Sequence, residues 1–186
     1  MTNIRYRITF FSPWHCGSGL AAGADVDALV VKDKNLLPFV PGKTIKGLVK
    51  EAVENILEFM PKKEIVDVRK AFGYFDDKET KCKGEMFFTN AELEESEQKA
   101  IISHNFQKHL YDSVASTAIQ LNGIAKKHSL RRIEVAVPCE LVGEIKNVPN
   151  ELIQVIIYAL KMVKRIGLNR NRGLGRCEIK GREETK

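Results

Sequence analysis

The strongest folding signal in the sequence is an apolar pattern at residues 45–60 that only an α-helix satisfies. Large apolar side chains recur there at the spacing i, i+3, i+4 and i+7, and Pro61 ends the run. Burial contributes roughly 1.5 to 3 kcal/mol per large side chain, so we expect this helix to lie in the core. Thr44 stands where an N-cap residue is expected.

Strands are indicated by alternating patterns and by short apolar runs. Apolar and polar residues alternate at residues 3–11 with the period of two that is typical of a half-buried strand. A second strand is predicted at 85–89, and a third from two extended segments at 133–137 and 141–145 that Pro138 separates. Residues 177–180 are predicted to form the closing strand.

A second helix is predicted before that closing strand. Asn150 is a plausible N-cap for it, and Gly167 fits the left-handed position that ends many helices. The resulting order is strand, helix, strand, strand, helix, strand, which is the ferredoxin-like (RRM-like) arrangement of an α+β fold. We therefore expect a single domain over residues 1–186, with an insertion at about 92–127 between the second and third strands.

Positive charge is concentrated in one stretch, residues 161–179. It contains six basic residues and no acid before Glu178, which matches the formal net charge of +6 for the whole chain. Gly167, Gly173 and Gly175 punctuate its second half. Guanidinium groups and the backbone N–H groups of glycine turns both bind phosphate. The stretch is therefore interpreted as a polyanion site, with a solvated turn carrying helix-terminal cations as the alternative.

Two other regions carry clustered cations. Lys43, Lys46 and Lys50 fall on the first turns of the first helix, where the helix dipole disfavours cations. A bound anion would offset this unfavourable charge. A solvated lysine face explains these three equally well. Basic residues also precede the extended segment at 133–137, ending with Arg131 and Arg132.

The remaining signals concern compartment and candidate chemistry. No run is long enough for a membrane span, and the N-terminus lacks the pattern of a secretory signal, so a cytoplasmic protein is expected. The four cysteines are scattered without metal-ligand or redox spacing. Asp25 and Asp27 follow a loop rich in glycine and alanine and are candidate functional carboxylates.

Together, these segments resemble the RAMP superfamily of CRISPR-associated proteins. Residues 41–47, PGKTIKG, look like that superfamily's "PGSSLKG" segment, and residues 167–176, GLNRNRGLGR, resemble its C-terminal glycine-rich loop. Residues 15–19, 72–73 and 130–134 also stand where such proteins have similar segments. The nearest match looks like the repeated backbone subunit of type III effector complexes, of the Csm and Cmr kinds.

The resemblance implies a function for the chain. It implies a prokaryotic subunit that binds guide CRISPR RNA, assembles as copies along it with other effector subunits, and has no membrane partner. It also implies metal-dependent endoribonuclease cleavage of the paired target RNA, with the insertion as a thumb that interrupts the pairing. The residues then expected to contact RNA are Lys43, Lys46, Lys50, Arg131, Arg132, Arg165, Asn169, Arg170, Arg172, Gly173, Gly175 and Arg176.

The resemblance also implies one catalytic carboxylate. Asp27 would be that residue and would hold a weakly bound Mg²⁺ or another divalent cation. Asp25 is the competing assignment, because the proline usual two residues after the aspartate is Leu29 here. An inactive RNA-binding assembly subunit is an alternative. A guide-processing ribonuclease that uses His15 is a third hypothesis. It is less favoured because such enzymes usually resemble two tandem ferredoxin-like domains, whereas a single domain is expected here.

The basic stretch generates a first prediction. About four phosphate contacts per copy would give a log–log salt slope of about −3 for single-stranded RNA. The double variant Arg170→Ala, Arg172→Ala should bind unrelated RNA sequences more weakly, to a similar extent, and with a shallower slope. A salt titration followed by fluorescence anisotropy measures both quantities. An unchanged slope would contradict the assignment of this stretch to RNA phosphates.

Overall fold

A computed structural model describes residues 1–22, 25–59, 68–75 and 81–184 of the chain. Its strands and helices, in chain order, are β1 Thr2–Phe10, α1 Gly42–Glu58, α2 Val68–Phe72, β2 Gly73–Phe75, β3 Lys81–Lys83, β4 Phe87–Phe88, α3 Glu95–Ser103, β5 Tyr111–Ser116, β6 Arg131–Ala136, β7 Glu140–Val148, α4 Ile153–Met162 and β8 Cys177–Glu184. Short 3₁₀ turns occur at Gln107–Leu110, Asn150–Leu152 and Arg170–Arg172.

The core is an antiparallel sheet of four strands in the order β4-β7-β1-β8. The predicted alternation of β1 is confirmed, since Ile4, Tyr6, Ile8 and Phe10 are all buried. Helices α1 and α4 pack against each other and share that buried core. Strand order and helix placement are those of the predicted ferredoxin-like α+β fold.

Helix α1 forms where the apolar period predicts it, with Ile45, Val49 and Val53 buried. Its cap differs from the prediction, because Pro41 is the N-cap residue and Thr44 makes no side-chain capping bond. The Gly42 N–H donates instead to Asn90 Oδ1 at 3.0 Å. The helix ends at Glu58, and residues 60 and 61, where the sequence predicts its end, lie outside the described residues.

Helix α4 also keeps its predicted buried side but not its predicted ends. Pro149 is the N-cap of the preceding 3₁₀ turn, and Asn150 makes no side-chain capping bond. The C-cap is Val163 in an extended conformation. Gly167 does have a positive φ of 96°, but it lies beyond the helix and serves another contact.

The segment before β7 is where the sequence-based expectation is wrong. β6 does not continue into the core sheet but pairs with β5, a strand that the sequence analysis missed, in a separate two-stranded hairpin. The first residues of the expected insertion also belong to the core, because Leu93 is buried and Glu92 exchanges two backbone hydrogen bonds with Val142. The surface excursion therefore begins after Leu93 and includes α3 and β5.

A tyrosine in the middle of β1 shapes the centre of the sheet. Tyr6 lies opposite Gly143 on β7 and Gly181 on β8. A β-carbon at Gly143 would overlap the Tyr6 ring and hydroxyl. Burial raises the pKa of the Tyr6 hydroxyl, which donates to the Thr89 carbonyl at 3.4 Å.

Within the described ranges, no helix is long and apolar enough to cross a membrane.

Candidate nucleic-acid interface

Residues 164–176, here called the arginine loop, form a hairpin-like excursion between α4 and β8. The Ile166 N–H donates to the Gly175 carbonyl and the Cys177 N–H to the Lys164 carbonyl, both at 2.9 Å. Asn169 and Gly173 adopt left-handed conformations on either side of the 3₁₀ turn. The loop is therefore closed on itself by backbone hydrogen bonds.

The arginine loop is also fastened to the segment that leaves β1. The Gly175 N–H donates to the Pro13 carbonyl at 2.8 Å, and the Arg176 N–H donates to Ser12 Oγ at 2.9 Å. The Phe11 N–H donates to the Arg176 carbonyl at 2.8 Å. These bonds fix the backbone from which the arginine side chains project.

The cationic side chains of the loop are exposed to solvent. They are those of Lys164, Arg165, Arg170, Arg172 and Arg176. Within the described ranges, none of these five cations forms an ion pair with a carboxylate. Arg165 Nη1 donates to the Arg170 carbonyl at 3.2 Å, which holds one guanidinium against the loop. Neighbouring cations without counter-charges repel one another, and a bound polyanion would offset this repulsion.

His15 joins the arginine loop to strand β6. It is only 2% exposed, and its Nδ1 lies 2.6 Å from the Glu134 carbonyl, so Nδ1 carries the proton and donates. The His15 carbonyl accepts the Leu168 N–H at 2.9 Å. It also approaches Gly167 so closely that a β-carbon there would overlap it. This contact explains the glycine at position 167.

Asp27 lies on a segment that pairs with the start of β6. Its N–H donates to the Arg132 carbonyl at 2.8 Å, and its Oδ2 accepts the Arg132 N–H at 2.7 Å. The Glu134 N–H donates to the Ala28 carbonyl at 3.0 Å, which continues the pairing. The side chain of Asp27 is nevertheless exposed, as is that of Asp25. Asp27 is thus a fixed carboxylate at the surface.

Glu134 is a site residue that the sequence analysis did not single out for a role. Its carboxylate accepts the Val30 N–H at 2.9 Å and the Lys32 ammonium at 2.7 Å. The Lys32 Nζ in turn lies 3.9 Å from the centre of the Tyr111 ring. The only sequence signal was an acid inside an otherwise basic and apolar strand. Glu134 thus fastens the segment that carries Asp27 to the hairpin.

The described residues do not form a metal cage. Within those ranges, no group of three or more His, Cys, Asp or Glu side chains could hold a metal ion. Asp27 offers one carboxylate, with one of its oxygens already used by Arg132. Burial raises the pKa of the Cys16 and Cys177 thiols to about 12, so both stay protonated and serve as packing groups. A cation held by Asp27 would need most of its ligands from water or RNA.

The structure brings together only part of the predicted RNA-contacting set. Arg132 shares backbone bonds with Asp27, and Arg131 is exposed beside it. Helix α1, which carries Lys43, Lys46 and Lys50, begins beside β4, at the edge of the sheet opposite β8 and the arginine loop. Lys50 lies 3.7 Å from Glu54 on the same helix. The α1 lysines therefore begin at the other edge of the sheet from the arginine loop.

Comparison with known proteins identifies the family. The family model described as the RAMP superfamily matches residues 7–178, almost the whole chain. The chain belongs to the RAMP superfamily. No curated protein matches the sequence.

Solved structures share the fold of this chain over 97% of its length. One similar chain comes from a cryo-EM structure of the type III-B Cmr-beta complex bound to cognate target RNA, with a TM-score of 0.70 and 11% identity. Another comes from the apo state of Cmr-beta, with a TM-score of 0.70 and 10% identity. Each match covers 97% of this chain and 97% of the other.

Three of the sequence segments that resemble RAMP proteins meet in this RAMP domain. Residues 15–19 contain His15, which contacts Glu134 at the end of 130–134 and Leu168 within 167–176. Segments far apart in sequence are therefore joined by one buried residue, through its imidazole ring and its backbone carbonyl. Residues 41–47 lie at the start of α1, at the opposite edge of the sheet.

The contact between Gly167 and His15 generates a second prediction. Gly167 and Gly173 have nearly the same positive φ, 96° and 97°. A β-carbon would overlap the His15 carbonyl at Gly167 but would meet nothing within 4 Å at Gly173. Gly173→Ala should therefore lower the free energy of unfolding by about 1 to 2 kcal/mol through strain alone, and Gly167→Ala by about 3 kcal/mol or more.

Urea denaturation of the two variants beside the wild type measures this difference. Because the two positions share nearly the same positive φ, Gly173→Ala is the control for the strain that this φ imposes on an alanine. Equal losses in the two variants would show that the close approach of His15 to the loop does not constrain position 167.

Proposed function

We propose that this RAMP protein is an RNA-binding backbone subunit of a type III CRISPR effector complex, with the guide RNA backbone held by the arginine loop. The observation that carries the proposal is the loop itself, a fixed backbone with five exposed cations. Structurally similar chains come from Cmr complexes, one of them bound to target RNA, and this supports the same setting. Copies of this chain and other effector subunits would be its protein partners.

Binding through the arginine loop would be independent of RNA sequence. Phosphate contacts fix the position of a strand without reading its bases. The α1 lysines and Arg131 would add further phosphate contacts from separate elements. A guide whose sequence varies between complexes requires this kind of recognition.

We also propose that Asp27 supports cleavage of the paired target strand. RNA can supply its own 2′-hydroxyl as nucleophile, which attacks the adjacent phosphate and expels the 5′-oxygen. The protein then needs to hold the scissile phosphate in line and to stabilise the developing charge. Asp27 would hold hydrated Mg²⁺ or another divalent cation, which would neutralise charge at that phosphate. The exposed, backbone-fixed carboxylate supports this role.

The β5–β6 hairpin would serve as the thumb in this proposal. Ile119, Leu121 and Ile124 are exposed at its tip, and Lys126 and Lys127 follow them. Exposed apolar residues beside cations suit a wedge that enters a guide–target duplex and interrupts its stacking. Regularly spaced copies of such a wedge would produce regularly spaced cleavage.

One alternative function has an observation in its favour. An inactive assembly subunit is favoured by the Arg132 N–H, which already occupies one Asp27 oxygen. The guide-processing alternative is disfavoured, because its acid–base residue would be His15, which is buried and whose Nδ1 is held by Glu134.

Cleavage by Asp27 is tested with a substitution that keeps the local structure. Asn at position 27 removes the charge but retains an oxygen that can accept the Arg132 N–H. In a complex reconstituted with guide RNA, Asp27→Asn should lower target cleavage by about 100-fold, equivalent to ~3 kcal/mol of transition-state stabilisation. Target binding should be unchanged. Cleavage by the wild type should require millimolar divalent cation and give evenly spaced products.

The matched control is Asp25→Asn, an exposed carboxylate two residues away that should leave cleavage unchanged. Normal cleavage by Asp27→Asn would contradict the assignment to Asp27, and loss in Asp25→Asn alone would transfer it to Asp25. A wild-type complex that binds target without cutting it would favour the inactive assembly subunit.

A further inference from the structure

Phe11 is an exposed aromatic residue beside the arginine loop. It follows the buried Phe10, whose ring stacks on Trp14 with centroids 4.7 Å apart. Strand alternation turns the next residue outward, and the Phe11 side chain is 55% exposed. The ring is therefore accessible to a ligand.

The surroundings of Phe11 form a cleft between β1 and the arginine loop. The cleft has a volume of about 390 Å³, and three cations line it, namely Lys164, Arg165 and Arg176. The Arg176 guanidinium lies 5.9 Å from the centre of the Phe11 ring. One acid also lines it, Glu178, but its carboxylate is paired with Lys180 at 2.9 Å. The cleft therefore offers one aromatic surface among three cations.

We propose that Phe11 is a nucleobase-stacking site, on which one base of a single-stranded RNA lies while its neighbouring phosphates contact Lys164, Arg165 and Arg176. A ring beside guanidinium and ammonium groups is the combination that binds single strands without sequence preference, because every base has a stacking face. The bound base would be covered from one side by the ring and from the edge by Arg176, and would displace water from both.

The backbone at Phe11 is already ordered for this role. Its N–H donates to the Arg176 carbonyl, and the Arg176 N–H donates to Ser12 Oγ, so ring and guanidinium are held on paired segments. Binding a base would thus require little further ordering of the backbone. The proposal rests on RNA binding by the arginine loop and adds a contact to the base that the phosphate contacts alone do not provide.

The test compares a single-stranded RNA 15-mer with a 15-mer of the same backbone that lacks its bases. Phe11→Ala should weaken binding of the RNA by about 5-fold or more, without changing the salt slope, because stacking releases no counterions. It should leave binding of the abasic strand unchanged. Phe11→Trp should restore RNA affinity, and its fluorescence should be quenched by the RNA and not by the abasic strand. The native Trp14 is buried and stacked on Phe10, and supplies a constant background.

Phe87→Ala is the matched control. Phe87 is 60% exposed on β4, at the other edge of the sheet from β8, and its loss should not affect RNA binding. Equal RNA affinity for Phe11→Ala and wild type, or equal weakening on RNA and abasic strand, would overturn the stacking site. If the double variant Arg170→Ala, Arg172→Ala still lowers the salt slope in that case, RNA binding by the arginine loop remains supported although the stacking site is not. A wild-type protein that binds neither strand overturns both proposals.

Discussion

The positions of the arginine loop and of strand β6 depend on the contacts of one buried residue, His15. Its imidazole donates to the Glu134 carbonyl, and its own carbonyl accepts the Leu168 N–H. A buried polar side chain is costly unless it is hydrogen-bonded, so these bonds determine where the strand and the loop can lie. His15 thus places the segment that carries Asp27 and the arginine loop in a defined relation to each other.

The ferredoxin-like core and the arginine loop have different roles in the chain. The apolar faces of β1, α1 and α4 provide the stability that lets a loop of exposed, mutually repelling cations persist. The loop contributes charge and the core contributes position. On this account RNA is a stabilising partner, because its phosphates neutralise cations that have no carboxylate partner within the described ranges.

The sequence predicted those parts of the fold in which burial follows a period. β1, α1 and the buried side of α4 have such periods, and the structure confirms them. β5 was missed because its side chains are almost all exposed, so that no alternation marks it. The predicted N-cap of α1 was wrong because Asn90, far along the chain, accepts the Gly42 N–H at the start of that helix. The candidate cations and aspartates were visible as charges, whereas the contact between His15 and Glu134 joins residues 119 positions apart.

Electron microscopy of the protein purified with its bound RNA would show where the strand lies on each copy. We expect several copies arranged along one RNA strand, with phosphates against the arginine loop and each β5–β6 hairpin directed toward the paired strand. Particles without RNA would contradict it. So would RNA that lies across the open face of the sheet, over Arg5 and Arg7, with the arginine loop left in solvent.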